Sequence, residues 1–165
     1  MKTLIEHLAN YAAYHRDPRN IFTHFIGIPM IVLAVTTLLA RPALPLGDGS
    51  AYLTPAMLLY ILSCLFYLRL SLVFGVAMAA ILAFFLYAGA YIAAMPTAWW
   101  LAIGLGLFVV GWVIQFIGHY YEGRKPAFVD DLVGLLIGPL FLVAETAFAL
   151  GLARDTREAM AARTH

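Results

Sequence analysis

Three histidines stand at positions that ask for a reason. His15 closes an amphipathic N-terminal segment, His24 lies one turn into the first long apolar run, and His119 ends a later one. A neutral imidazole is a good ligand for iron or zinc, so three of them gathered at one point would form a metal site. Carboxylates accompany them. Glu122 follows His119 by three residues, the helical spacing that places two side chains on one face and that buried carboxylate metal sites also use. Glu145 is ionisable inside an apolar helix, where an unpaired charge costs several kcal/mol and therefore marks a functional or a paired group. Gln115 lies one turn before His119 and offers a hydrogen bond to a ligand or substrate. Asn20 is a second polar candidate and a good N-cap for the first apolar run. Arg16, Arg19, Arg124 and Lys125 are cations suited to an anionic head group. A lone histidine at a membrane interface is ordinarily a hydrogen-bonded side chain; convergence distinguishes these three. Tyr11, Tyr14, Tyr120 and Tyr121 read as an aromatic belt. Gly104, Gly106, Gly111, Gly134 and Gly138 read as close helix packing.

The elements that must bring these residues together follow from composition. The 165 residues are 64% hydrophobic and 12% charged, against about 45–50% and about 25% in a soluble domain. A water-soluble globule cannot be covered with so few charges. Residues 42–121 carry only Asp48 and Arg69. A net charge of +1 without a basic stripe excludes nucleic acid as a partner, and the single Cys64 excludes an intramolecular disulfide or thiolate cluster. The N-terminus lacks the apolar core of a secretory signal.

A helix crossing the ~30 Å hydrocarbon layer needs about 20 apolar residues. Counting uncharged stretches in that unit predicts spans over 20–40, 49–68, 70–94 and 98–119, the last two joined at Met95-Pro96-Thr97 because proline cannot continue a helix. A fifth apolar segment over 132–152 carries Gly138-Pro139, and either crosses or breaks there and folds back. Residues 1–19, with Leu4, Leu8, Tyr11, Ala12 and His15 at helical spacing, read as an interfacial amphipathic helix that Pro18 ends. The expected fold class is therefore all-α: a polytopic membrane helix bundle in one domain over 1–165. An even number of crossings separates the start of the first span from the end of the fourth. His24 and His119 then share a membrane face, which His15 joins, and the positive-inside rule makes that face cytoplasmic.

Two stretches resemble a known family. YAAYHRDPRNIFTHFIGIP (residues 11–29) and WVIQFIGHYYEGRKPAF (112–128), followed by LLIGPLFLVAE (135–145), are similar to small multi-pass membrane proteins that include a yeast endoplasmic-reticulum dioxygenase of 2-hydroxy fatty acids. The similarity covers nearly the whole chain. It implies an Fe(II)-dependent enzyme that uses O2 to shorten a 2-hydroxy fatty acid by one carbon, releasing CO2 in an α-oxidation. His15, His24 and His119 carry over as iron-site residues, with Glu122 or Glu145 as a further ligand or a group orienting an imidazole. The expected setting is a bacterial inner membrane or a eukaryotic endoplasmic reticulum, among membrane lipids, with a homo-oligomer open. Two other readings stand beside it: a zinc-dependent intramembrane hydrolase of lipid amides or esters, and a non-enzymatic scaffold or small transporter.

Overall fold

The computed structural model describes residues 2–49, 51–126, 129 and 132–163. Among them are seven helices: α1 (Leu4–Ala13), α2 (Pro18–Leu39), α3 (Pro55–Leu70), α4 (Leu72–Ala93), α5 (Thr97–Glu122), α6 (Gly134–Ala149) and α7 (Arg154–Ala161). Strands β1 (Leu44–Leu46) and β2 (Ala51–Leu53) pair antiparallel, Leu44 opposite Leu53 and Leu46 opposite Ala51. Helices α2, α4 and α5 are long and apolar enough to cross a membrane, and α6 with α7, bent by 113°, passes the same test as one broken span. The structure thus supports an all-α protein with three or four candidate spans.

Two compact units divide the chain: Met1–Ile28 with Val113–His165, and Pro29–Trp112. In the second unit, α3 packs on α4, and Gly75 lies so close to Leu68 that a Cβ there would sit 2.7 Å from the Leu68 Cα. Gly104 lies against Leu38 in the same way. The Trp100 indole N–H donates to the Thr37 carbonyl oxygen at 2.8 Å, and the Arg41 guanidinium covers the Trp100 ring at 4.5 Å. The expected span over 49–68 is shorter than anticipated. Residues 51–53 belong to the hairpin, whose turn uses Gly47 and Gly49 in left-handed conformations (φ 60° and 84°), available to glycine without a steric penalty. Thr54 then caps α3 through the Met57 N–H, with Pro55 in the first turn. The resulting 16 residues rise about 24 Å.

The first unit holds the functional side chains. Thr3 and Glu6 form a capping box that starts α1, leaving the Glu6 carboxyl at about 2 because the Thr3 backbone N–H and then Arg163 favour its charged form. The apolar face expected on a lipid surface is instead buried within this unit: Leu8 is fully enclosed, Ala9 and Tyr11 are buried, and α1 packs against α6 and α7. The start of α2 also differs from expectation. Asp17 is the cap, its Oδ1 accepting the Arg19 N–H at 2.8 Å, and Pro18 occupies the first helical position, where its missing N–H costs nothing. Asn20 therefore lies inside α2 and is fully buried. α6 runs straight through Gly138-Pro139. The chain turns later, at Gly151 (φ 73°) and Ala153 (φ 51°), so the break expected at Gly-Pro is displaced by more than a dozen residues.

Candidate metal centre

The turn between α1 and α2, the first turns of α2 and the last turn of α5 converge in the first unit. His15, His24 and His119 are brought together there, 3%, 3% and 6% exposed. One ring nitrogen from each lies within 4.8 Å of the others. The ring centroids are 4.5 Å (His15–His24), 5.1 Å (His15–His119) and 5.0 Å (His24–His119) apart, each pair steeply tilted.

Helical spacing fixes two of the tautomers. His15 Nδ1–H donates to the Tyr11 carbonyl oxygen at 2.7 Å, and His24 Nδ1–H to the Asn20 carbonyl oxygen at 2.8 Å. Each partner stands four residues earlier. In a neutral ring whose Nδ1 bears the proton, Nε2 carries a lone pair. The two Nε2 atoms face each other at 3.0 Å, so two lone pairs meet in a dry site with no hydrogen between them. A shared proton would require an imidazolium, and burial holds His15 down to about 4. A divalent cation resolves the conflict. Two nitrogens each ~2.1 Å from a shared ion stand at most about 4.2 Å apart, and the 3.0 Å separation lies inside that limit. His119 adds a buried Nδ1 without a hydrogen-bond partner among the described residues. Donor type and burial fit all three residues to a metal ion, and tautomer and spacing fit His15 and His24.

Glu122 lies outside this trio. Both its oxygens accept the Arg16 N–H at 3.0 Å, and Oε2 also accepts the Asp17 N–H at 2.9 Å and Asn20 Nδ2–H at 3.0 Å. The carboxylate at the end of α5 thereby clasps the α1–α2 turn beside His15, together with the residue whose carbonyl orients His24. Arg124 closes the clasp from the other side, its Nη1–H donating to the Ala13 carbonyl oxygen at 3.1 Å. Tyr11, expected in an aromatic belt, is buried and stacks on the His15 ring at 4.1 Å, with Phe141 beyond it. Where α2 crosses α5, Gly118 lies flush against Thr23 and Asn20.

The remaining candidates are differently placed. Gln115 is buried, its Nε2 without a partner among the described residues, and so is the Oδ1 of Asn20. Glu145 is half-buried on α6, and its charge neighbour is Arg157 of α7. Arg19 is held by Asp17 at 2.9 Å and lies over the Tyr121 ring at 4.4 Å; its guanidinium keeps the Asp17 carboxyl below the ordinary carboxylate range. Arg16 and Lys125 are exposed. Sequence reading missed Asp17, Gly118 and Thr23. The Asp17-Pro18 pair was the available signal for the first, since an acidic cap followed by proline is a common helix start.

The model of the family described as 2-hydroxy-palmitic acid dioxygenase Mpo1-like matches residues 1–150. The chain belongs to the Mpo1-like family. It is also 32% identical over 146 residues to the 2-hydroxy-palmitic acid dioxygenase MPO1 of Saccharomyces cerevisiae, covering 87% of this chain and 79% of the yeast protein. No solved structure matches it. The Mpo1-like match contains the three histidines, Glu122 and the whole of α6.

Proposed function

We propose that the protein is an Fe(II)-dependent dioxygenase that converts a 2-hydroxy fatty acid and O2 into the acid one carbon shorter, CO2 and water. The reaction balances: C2 rises from alcohol to carboxyl, C1 leaves as CO2, and O2 accepts the four electrons released. The observation that carries the reading is the pair of buried Nε2 lone pairs of His15 and His24 facing each other at 3.0 Å beside His119. Similarity to the yeast 2-hydroxy-palmitic acid dioxygenase supports the substrate class.

His15, His24 and His119 would hold the iron, which when bound supplies the redox chemistry that lets O2 react at carbon. The chain's own residues prepare the place. Tyr11 and Asn20 hold the two Nδ1 protons, so both rings present Nε2 without a change of tautomer. Glu122 keeps the turn carrying His15 docked on α5. Arg16, whose guanidinium has no partner among the described residues, draws the substrate carboxylate towards the site. Gln115 offers it a buried donor. Burial of the trio excludes bulk water from the reacting carbons. The excess of basic residues on the side that carries the three histidines supports a cytoplasmic face for the site, by the positive-inside rule.

A carboxyl-labelled 2-hydroxypalmitic acid tests the reading. Labelled CO2 and unlabelled pentadecanoic acid should form with uptake of O2, and protein stripped of metal should form neither. Oxygen-independent hydrolysis of a lipid amide or ester by a zinc-containing preparation would replace this reading with the hydrolase.

A further inference from the structure

Beyond the metal centre, the bend between α6 and α7 encloses a hollow of about 610 Å³. Its walls are of two kinds. Phe148 and Leu152 are apolar, whereas Arg154, Arg157 and Glu158 are charged. The hollow therefore carries one net positive charge beside an apolar surface. Leu150 and Leu152, next to the bend, are 70% and 59% exposed, and none of the α7 residues is buried.

Ala153 precedes α7 in the left-handed region and supplies no side-chain cap, and Asp155 already places a carboxylate in the first turn, so the arginines and not the helix start supply the attraction for an anion. The Arg154 Nε–H donates to the Gly151 carbonyl oxygen at 3.2 Å, which holds this guanidinium at the bend, where it lines the hollow. Glu145, half-buried on α6, is a charge neighbour of Arg157.

We propose that this hollow binds the phosphodiester head group of an anionic phospholipid, the phosphate on Arg154 and Arg157 and the first acyl carbons against Phe148 and Leu152. A phosphodiester carries the single negative charge that matches the net charge of the walls. The exposed leucines at the bend match an amphiphile better than a free ion. The most abundant amphiphile around a chain with three to four candidate spans is phospholipid. Contacts of guanidinium groups with lipid phosphates at membrane boundaries are individually modest and act together.

The test uses the full-length purified protein with four probes: phosphatidylglycerol, phosphatidylcholine, palmitic acid and inorganic phosphate. Native mass spectrometry after detergent exchange reads the lipid retained per chain. Phosphatidylglycerol should be retained about tenfold over phosphatidylcholine, and the Arg154→Gln/Arg157→Gln variant should lose that preference. Glu158→Gln removes the opposing charge and should raise retention, a gain that misfolding cannot produce. Equal retention of the two phospholipids, or an unchanged preference in the double variant, overturns the proposal. So does displacement of phosphatidylglycerol by equimolar palmitic acid or inorganic phosphate, which would make this a carboxylate or free-phosphate site.

Discussion

Replacing Glu122 by Gln keeps the size and shape of the side chain, removes its charge and turns one of its two oxygens into an amino donor. In the wild-type protein Oε2 accepts from the Asp17 N–H, from Asn20 Nδ2–H and, shared with Oε1, from the Arg16 N–H. An amide group there turns an acceptor of three donors into a donor facing them. Hydrogen bonds to a charged acceptor contribute about 1.5–3 kcal/mol each when well shielded. Glu122 is only partly buried, so we take the lower end and count the loss of one to two such bonds, roughly 1.5–3 kcal/mol in all. The turn that carries His15 loosens by that amount, and because the metal selects the docked turn, the loss passes into metal affinity as about 10–100-fold. The assay is iron titration of the purified protein against a chelator of known affinity, beside far-UV circular dichroism as a control for the fold. Glu122→Asp, one methylene shorter, should recover only part of the affinity. Iron binding by Glu122→Gln within twofold of wild type would show that the carboxylate does not position the histidines.

Other consequences follow from single contacts. A Cβ on Gly118 would overlap Thr23 Oγ1 and lie 2.6 Å from Asn20 Oδ1, so Gly118→Ala should cost about 1–3 kcal/mol in thermal unfolding; Thr23→Ala should restore part of it, and no loss would place the α2–α5 crossing elsewhere. Tyr11→Ala removes a buried ring stacked on His15 and should cost about 3–5 kcal/mol, whereas Tyr11→Phe should retain iron, because the Tyr11 backbone carbonyl and not its hydroxyl holds His15. The Glu6 carboxyl titrates lower in the folded chain, at about 2, than in the unfolded one. Its contribution is therefore complete above the ordinary carboxylate value, about 4.5, and is lost as pH falls from there towards 2. The difference in unfolding temperature between wild type and Glu6→Gln should be full at pH 7 and gone near pH 2; a constant difference would exclude the capping-box carboxylate as its source.

Run lengths and proline positions carried much of the architecture. Arg41, Asp48 and Arg69 bracket apolar segments of helix length, and Met95-Pro96-Thr97 separates α4 from α5, as the structure has it. The same features put His24 near the start of one helix and His119 near the end of another. What a linear reading lacks is the partner at a distance. The clasp of Glu122 on Arg16 and Asp17 joins residues more than a hundred positions apart, and no helical spacing encodes it. Leu8 and Tyr11 were legible as one apolar face, but the surface covering that face is α6, whose similar hydrophobicity made lipid an equally good match. Asn20 looked like a cap because its residue type favours that role; the proline two residues earlier had already started the helix at Asp17. Glu145 was legible as a charge that needs a reason, and Arg157, beyond the bend, is its charge neighbour.

Elemental analysis of the purified wild-type protein beside His24→Ala and His119→Ala variants addresses the metal centre directly. Wild type should hold one iron per chain, and both variants should lose it while keeping the helical content of the parent. Zinc in place of iron, no metal in the wild type, or full iron occupancy in either variant would contradict a three-histidine iron site.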